Sequence, residues 1–339
     1  MTFLKNQWYV AGTAAELGDK PLGRMICGEP IVFFRRSDGS VAALEDRCPH
    51  RKYALSLGTV LGDELQCGYH GIRLDGGGKC TKIPSQLAIP RGFGVRAYPV
   101  VEKYALLYIW MGDPAQADPA AAHDWHWNTE PGWTAVHGYH HVAGHYQLVV
   151  DNLLDLTHLA IVHKTTLAGP GLLENPLQVM PEGDVVRSLR VMKNVDPSPV
   201  LTIYKKPAGK IDRIQEAEFR APGYVCINVL ANPAGSNDKT PVHVVLNSLT
   251  PETDRSTHYF WSVARPGALD DKKVDELYDR LLRIAFDEDK AIIEIQQRMI
   301  DGDSSGTPLV SLDGDKAGAA ARRIVAKKLA EETGTRAVA

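Results

Sequence analysis

The 339-residue chain is poor in long apolar runs. Its longest, Tyr104 to Met111, has eight residues, against the roughly 18 needed to span a bilayer, so no membrane segment is predicted. The opening MTFLKNQWYV lacks the basic region and apolar stretch of a secretory signal, which gives a cytoplasmic location as the expectation. An excess of positive charge is missing too. Lys and Arg number 38 against 41 Asp and Glu, a net charge of −3, which leaves no electrostatic footprint for nucleic acid. Internal repeats and low-complexity blocks are absent, and 44% hydrophobic with 23% charged residues excludes global disorder and collagen-like or coiled-coil chains. Cysteine is scarce and odd in number: five in a reducing compartment favour thiols or metal ligands over a disulfide framework.

What is present reads as about two domains. From Ile31 to Met111, short β-branched or aromatic runs (IVFF, VAAL, ELQC, GVRAYPVV, ALLYIW) alternate with turns, the pattern of an all-β unit. Gly76-Gly77-Gly78 lacks the strand-to-helix setting of a phosphate loop and reads as a tight turn. Gly112 to Asp124 is rich in Ala, Asp and Pro without apolar periodicity and resembles a linker. The expected division is 1–112, a linker 113–126, and 127–339. Gln147 to His163 carries a helical stripe of Leu148, Leu153, Leu156, Leu159 and Ala160. VVRSLRV, YVCINVL, VHVVLNSL and THYFWSVA predict strands between about Val185 and Ala264. Asp270 to about Ile300 predicts an amphipathic helix on Val274, Leu277, Leu281, Ala285, Ile292 and Ile295, and Lys316 to Glu332 a surface helix or subunit contact. The fold class is α+β.

Two clusters in the β-rich part carry chemistry: Cys48-Pro49-His50 and Cys67-Gly68-Tyr69-His70. Two thiolates and two imidazoles can hold a tetrahedral zinc, or a [2Fe–2S] cluster in which two His replace two Cys on one iron. Zinc fingers typically pair Cys with Cys and His with His, whereas each cluster here supplies one of each. That order suits the dinuclear cluster, each loop giving one sulfur to one iron and one nitrogen to the other. Cys27, Cys80 and Cys226 lack such partners and read as structural thiols.

A second constellation lies on the helix from Asp151 to His163. Asn152, Asp155 and His158 are spaced three apart and share a helical face. His163 lies about 140° from His158 on an ideal helix, so both reach one metal only if the helix end unwinds or bulges. Two imidazoles and one carboxylate make the facial triad of oxygen-activating Fe(II). The carboxylate must come from elsewhere, and Asp287-Glu288-Asp289 is the obvious source. Asp289 continues the expected inward stripe, Asp287 falls outside it, and periodicity leaves Glu288 open.

Cys-Pro-His-Arg, Cys-x-Tyr-His-Gly, the opening NQWYVAG and Lys20-Pro21-Leu22-Gly23 resemble the Rieske non-haem iron oxygenases, the aromatic ring-hydroxylating α-subunit family. Within it they look like the monooxygenase branch that includes vanillate and dicamba O-demethylases. Arg51-Lys52-Tyr53-Ala54 departs from the smaller residues and proline of relatives, which bears on potential or donor docking rather than ligation. The resemblance implies an N-terminal all-β Rieske domain and a C-terminal helix-grip (START-like) domain with an antiparallel sheet and flanking helices. It implies Cys48, His50, Cys67 and His70 as cluster ligands, and it selects Asp289 as the third iron ligand beside His158 and His163. Asn152 carries over as a residue close to the iron. The implied partners are dioxygen, an aromatic small molecule, and a separate reductase or ferredoxin that draws on NADH. They extend to a head-to-tail homotrimer in which Asp155 links His70 of one subunit to His158 of the next.

The implied reaction is O-demethylation of a methoxylated aromatic acid. Methyl hydroxylation of an aryl sulfonate or carboxylate, N-demethylation and ring dihydroxylation are the rival enzymatic outcomes, and a Rieske electron carrier the non-enzymatic one. For the substrate's acid group the strands offer Asn228, His243 and Asn247, and the segment before them Arg213 and Arg220. In dicamba-demethylase-like relatives an Asn and a His on these strands hold the carboxylate. Asn228 sits near the first position, whereas Asn247 stands where the His is expected.

Overall fold

The computed structural model describes residues 3–238 and 240–334. The chain divides into two units, Phe3–Asp124 and Trp125 onward.

The first unit is built of short antiparallel strands. One sheet pairs β1 (Trp8–Thr13), β11 (Leu106–Trp110) and β10 (Val100–Lys103); a second has the order β2 (Leu22–Ile26), β3 (Glu29–Arg35), β4 (Val41–Glu45), β9 (Ala97–Tyr98). The third is a meander of β5 (Thr59–Leu61), β6 (Glu64–Gln66), β7 (Arg73–Asp75) and β8 (Cys80–Lys82). Its core packs Phe34, Leu44, Leu55, Leu65 and Leu74 around the side chains of Cys48, Cys67 and Cys80. The triple glycine forms the β7–β8 turn. Gly78 has φ 78°, and a Cβ there would lie 2.2 Å from the Val95 carbonyl oxygen, so only glycine lets the two backbones meet.

The stretch read as a linker is ordered. Asp113 and Asp118 each cap a 3-10 turn that begins with proline, Pro114–Gln116 and Pro119–Ala121. The Trp8 indole donates to the Asp118 carbonyl at 2.8 Å and the Tyr108 hydroxyl to that of His123 at 3.1 Å, tying the segment to the first unit. The contact boundary, between Asp124 and Trp125, falls inside 113–126.

The second unit is a seven-stranded antiparallel sheet with helices packed against it. The strands are β12 (Thr134–Val142), β13 (Gln178–Glu182), β14 (Val185–Val195), β15 (Ile211–Arg220), β16 (Tyr224–Pro233), β17 (His243–Thr253) and β18 (Ser256–Arg265), in the order β12-β18-β17-β16-β15-β14-β13. Three helices join them: α1 (Tyr146–Leu154), α2 (Lys272–Gly302) and α3 (Lys316–Thr333). The architecture is α+β, as expected. β15 is a strand that apolar patterning did not mark out, because two of its inward positions are Arg213 and Gln215.

Asp271 starts α2 by accepting from the Lys273 and Val274 N–H groups. The buried face is Val274, Tyr278, Leu282, Ala285, Phe286, Asp289, Ile293 and Gln297. This corrects the expected stripe, since Leu277, Ile292 and Ile295 are exposed. The helix carries two apolar stripes, and periodicity alone does not say which one meets the sheet. Phe286 packs on Trp261, Tyr259 and His140, burial worth about 1.5–3 kcal/mol for a phenylalanine. Gly138 makes room for that aromatic cluster, because a Cβ there would lie 1.9 Å from the Trp261 ring. The tail helix α3 packs Ala317, Ala320, Ala321, Ile324 and Val325 inward, and its Arg322 pairs with Asp151 on α1.

Candidate metal centres

In the first unit two loops of the same backbone form carry the Cys and His residues. In one, the Cys48 N–H donates to the Tyr53 carbonyl and the Lys52 N–H to the Cys48 carbonyl; in the other, Cys67 N–H meets the Ile72 carbonyl and Gly71 N–H the Cys67 carbonyl. Both turn through a left-handed residue at the fourth position after the cysteine, Lys52 at φ 58° and Gly71 at φ 72°. The loops bring buried Cys48 and Cys67 together beneath the exposed rings of His50 and His70, whose centroids are 4.6 Å apart. Burial pushes the Cys48 thiol up, with Cys67 beside it adding to the rise, while N–H groups of His50 and Arg51 pull it down. Two adjacent thiols under two adjacent imidazoles, with N–H donors aimed at sulfur, fit a dinuclear iron–sulfur cluster ligated by two Cys and two His.

In the second unit the helix predicted through His163 breaks at Asp155. α1 ends at Leu154, Asp155 is extended (φ −101°, ψ 91°), and Leu156–Ala160 is a 3-10 turn capped by the Asp155 carboxylate, which accepts from the Thr157 N–H at 3.0 Å. Asn152, Asp155 and His158 therefore do not share one helical face. The break meets the demand posed by the His158–His163 spacing. It brings Nε2 of His158 within 3.4 Å and Nε2 of His163 within 3.1 Å of Asp289 Oδ1 on α2. Among the described residues, this is the one group of three or more metal-competent side chains whose donor atoms lie within 4.8 Å of one another.

The surroundings orient both imidazoles. His158 Nδ1 lies 2.6 Å from the Asp155 carbonyl and His163 Nδ1 lies 2.7 Å from Glu288 Oε2, which also accepts from Thr166 at 3.3 Å. With Nδ1 engaged as donor, each Nε2 is left with its lone pair toward the shared point. The His163 Nε2 is buried and without a hydrogen-bond partner, as expected of an atom meant for a metal. Asn152 donates to Asp289 Oδ1 at 3.2 Å, so it steadies the carboxylate. Two imidazoles and one carboxylate on one side fit Fe(II) with positions left open.

His158, His163 and Asp289 line a cavity in the second unit. Its walls are mainly apolar, with Leu153, Leu156, Ile227, Val245, Leu282 and Phe286 among them. Of the three residues proposed for the substrate, His243 alone lines it. Asn228 lies on β16 between Ile227 and Val229, which do line the cavity, so strand alternation turns it to the other face. Asn247 is buried, but its amide donates to the Val225 carbonyl at 2.9 Å and accepts from the Tyr259 hydroxyl at 2.6 Å. Arg220 is exposed, whereas Arg213 and Gln215 line the cavity. The site list drawn from sequence missed Gln215, and it missed Glu288 in its role toward His163. Inward polar residues on a strand were the available signal for the first.

Residues 7–99 match the Rieske [2Fe–2S] domain, and residues 142–331 match the vanillate O-demethylase oxygenase C-terminal domain. The chain belongs to the vanillate O-demethylase oxygenase family. It is 38% identical to the vanillate O-demethylase oxygenase subunit of Pseudomonas sp. (strain HR199 / DSM 7063), over 97% of this chain and 96% of that one. It is 36% identical to the toluene-4-sulfonate monooxygenase system iron-sulfur subunit of Comamonas testosteroni, over 88% and 89%. Dicamba monooxygenase bound to 3,6-dichlorosalicylic acid superposes with a TM-score of 0.94 at 34% identity, covering 99% of this chain and all of that one. Another structure of that enzyme holds non-haem iron and dicamba. As a member of this family the chain is an oxidoreductase, the oxygenase component of a Rieske monooxygenase system, with a [2Fe–2S] cluster and a mononuclear iron as cofactors. No helix among the described residues is long and apolar enough to cross a membrane.

Proposed function

We propose that the chain catalyses NADH- and dioxygen-dependent O-demethylation of a methoxylated aromatic acid. The observation that carries this reading is the convergence of His158, His163 and Asp289 on the wall of a largely apolar cavity. When bound, the cluster and the iron supply single-electron transfer and oxygen activation. The chain's residues do the rest. Glu288 and the Asp155 carbonyl orient the imidazoles, Asn152 steadies Asp289, and the leucines, Ile227 and Phe286 exclude water and hold the ring. The overall balance is ArOCH₃ + O₂ + NADH + H⁺ → ArOH + CH₂O + H₂O + NAD⁺.

The reading includes Cys48, His50, Cys67 and His70 as cluster ligands, a separate reductase or ferredoxin as donor, a cytoplasmic location, and a head-to-tail homotrimer. Support for subunit contact comes from the second apolar stripe of α2, where Leu277, Ile284, Ile292, Ile295 and Met299 face solvent in the single chain. Asp155 is the residue proposed to link the two metal sites across that contact. Asp155→Asn is expected to leave cluster and iron content unchanged while stopping product formation; undiminished turnover would reject the link.

The deciding experiment supplies the loaded protein with a surrogate reductase, NADH and a panel of methoxybenzoates, and measures oxygen uptake, phenol and formaldehyde. Equal amounts of phenol and formaldehyde are expected. Coupled oxygen uptake that yields a benzylic alcohol from a methylated ring, and no formaldehyde from any methoxybenzoate, would establish methyl hydroxylation instead, the reading suggested by the toluene-4-sulfonate relative.

A further inference from the structure

The cavity has a polar end that the metal ligands do not explain. Arg213 is 2% exposed and lines the same cavity as His158, His163 and Asp289. Its Nε and Nη1 are buried without a hydrogen-bond partner, and among the described residues no carboxylate pairs with it. A guanidinium kept for structure is normally tied to an acid or to backbone carbonyls, because an unpaired buried charge is costly. Here the neighbouring charge has the same sign. Arg190 on β14 pairs with Gln215 and Met192 with Arg213, so the two arginines are diagonal neighbours on one sheet face. Arg190 is also 2% exposed, with Nε and Nη1 unpartnered.

The surroundings keep a place for this side chain. A Cβ at Gly169 would lie 2.7 Å from Arg213 Nη1, so the glycine clears room for the guanidinium. Gln215, two residues along the strand, has a buried Oε1 with no partner. His243 faces the same cavity, its Nδ1 3.3 Å from the Tyr278 hydroxyl, and burial with Arg213 nearby keeps it a neutral ring.

We infer that Arg213 is the anchor for an oxyanion carried on the aromatic ring, a carboxylate or a sulfonate, with Arg190 behind it and Gln215 and His243 completing the polar end. This rests on the aromatic-substrate reading above and adds the residue that selects among rings. An oxyanion supplies the counter-charge and acceptors that the guanidinium lacks, through charge-assisted bonds in a dry cavity. An uncharged ring of the same shape leaves Arg213 unpaired, so discrimination is built into the empty site.

The test is anaerobic calorimetric titration of the loaded protein with 4-methoxybenzoate and 4-methylbenzenesulfonate, and with their uncharged counterparts 4-methoxybenzamide and 4-methylbenzenesulfonamide. At least one anion is expected to bind about 100-fold more tightly than its amide, the preference falling to about threefold or less in Arg213→Met and staying intermediate in Arg213→Lys. The anion that shows the preference distinguishes carboxylate from sulfonate. Because the charge is unpaired, unliganded Arg213→Met should melt no lower than the parent. A lower melting temperature, with anion and amide binding lost alike, would assign Arg213 to the fold and overturn the anchor. So would anions that bind no better than their amides, or not at all, in the unaltered protein. Formaldehyde is scored separately. An Arg213-dependent anion that is oxidised without formaldehyde overturns the O-demethylation reading and leaves the anchor standing. Formaldehyde released equally from 4-methoxybenzoate and its amide does the reverse.

Discussion

The two candidate metal sites are assembled in opposite ways. The residues proposed for the cluster all lie between Cys48 and His70, on two loops whose backbone hydrogen bonds repeat each other, with thiols inside and imidazoles outside. The residues proposed for the iron come from distant segments, the turn and loop that follow α1 and the middle of α2, and meet in the interior. The first site is a property of local turns and the second a property of tertiary packing. Each should therefore fail separately, and in a different manner.

The largest expected effect is on the second site alone. Asp289→Ala should cut product formation on the order of a thousandfold and strip the mononuclear iron while leaving the visible absorption of the cluster intact. Loss of both metals together would show that the sites are not independent. Glu288→Gln probes the support rather than the ligand. It should weaken iron retention against a chelator by about 10- to 100-fold, again with the cluster unchanged.

Acid sharpens the comparison further. The histidines that burial holds below their usual range, His137, His140, His145 and His243, all lie in the second unit. Burial, helped by Arg213, puts His243 at about 3, and burial with Arg322 puts His145 at about 4. An unfolded chain takes up protons near pH 6.5 that these native groups refuse. Stability of the second unit from these groups is then greatest above about pH 6.5 and falls with acidity, levelling for His145 near 4 and for His243 near 3. Urea titrations at pH 7 and pH 5, with cluster absorption reporting the first unit and helical circular dichroism the second, which holds all three α-helices, should show the second loosening first. A second-unit midpoint that does not move with pH would contradict this. The smallest effect concerns loop equivalence. Lys52→Gly relieves a left-handed lysine and should stabilise the first unit by up to about 1 kcal/mol, whereas Gly71→Ala at the matching position should cost about as much, both read from thermal melts.

The same contrast explains what could be read from sequence. The grouping of Cys48, His50, Cys67 and His70 was legible because their loops are local, and the need for the helix end to unwind or bulge if His158 and His163 are to meet followed from helical geometry. The residue at which the helix gives way did not, because Asp155 acts there through its cap and its carbonyl. On α2 the expected stripe took in Leu277, Ile292 and Ile295 because two apolar faces compete, and only the folded sheet decides between them. β15 escaped notice since Arg213 and Gln215 occupy inward positions that a packing strand would fill with apolar residues. Local rules failed where the site needs polar groups inside.

The division of labour around the cavity has one more consequence. The candidate metal-binding side chains stand on the 3-10 turn, the loop that follows it and α2, whereas the groups facing the cavity's polar end stand on β15 and β17. Oxygen chemistry and substrate choice are thus written on separate elements. Exchanging inward residues of those strands can retarget the enzyme while its ligand set stays untouched, which makes the sheet face the natural place for divergence and for redesign.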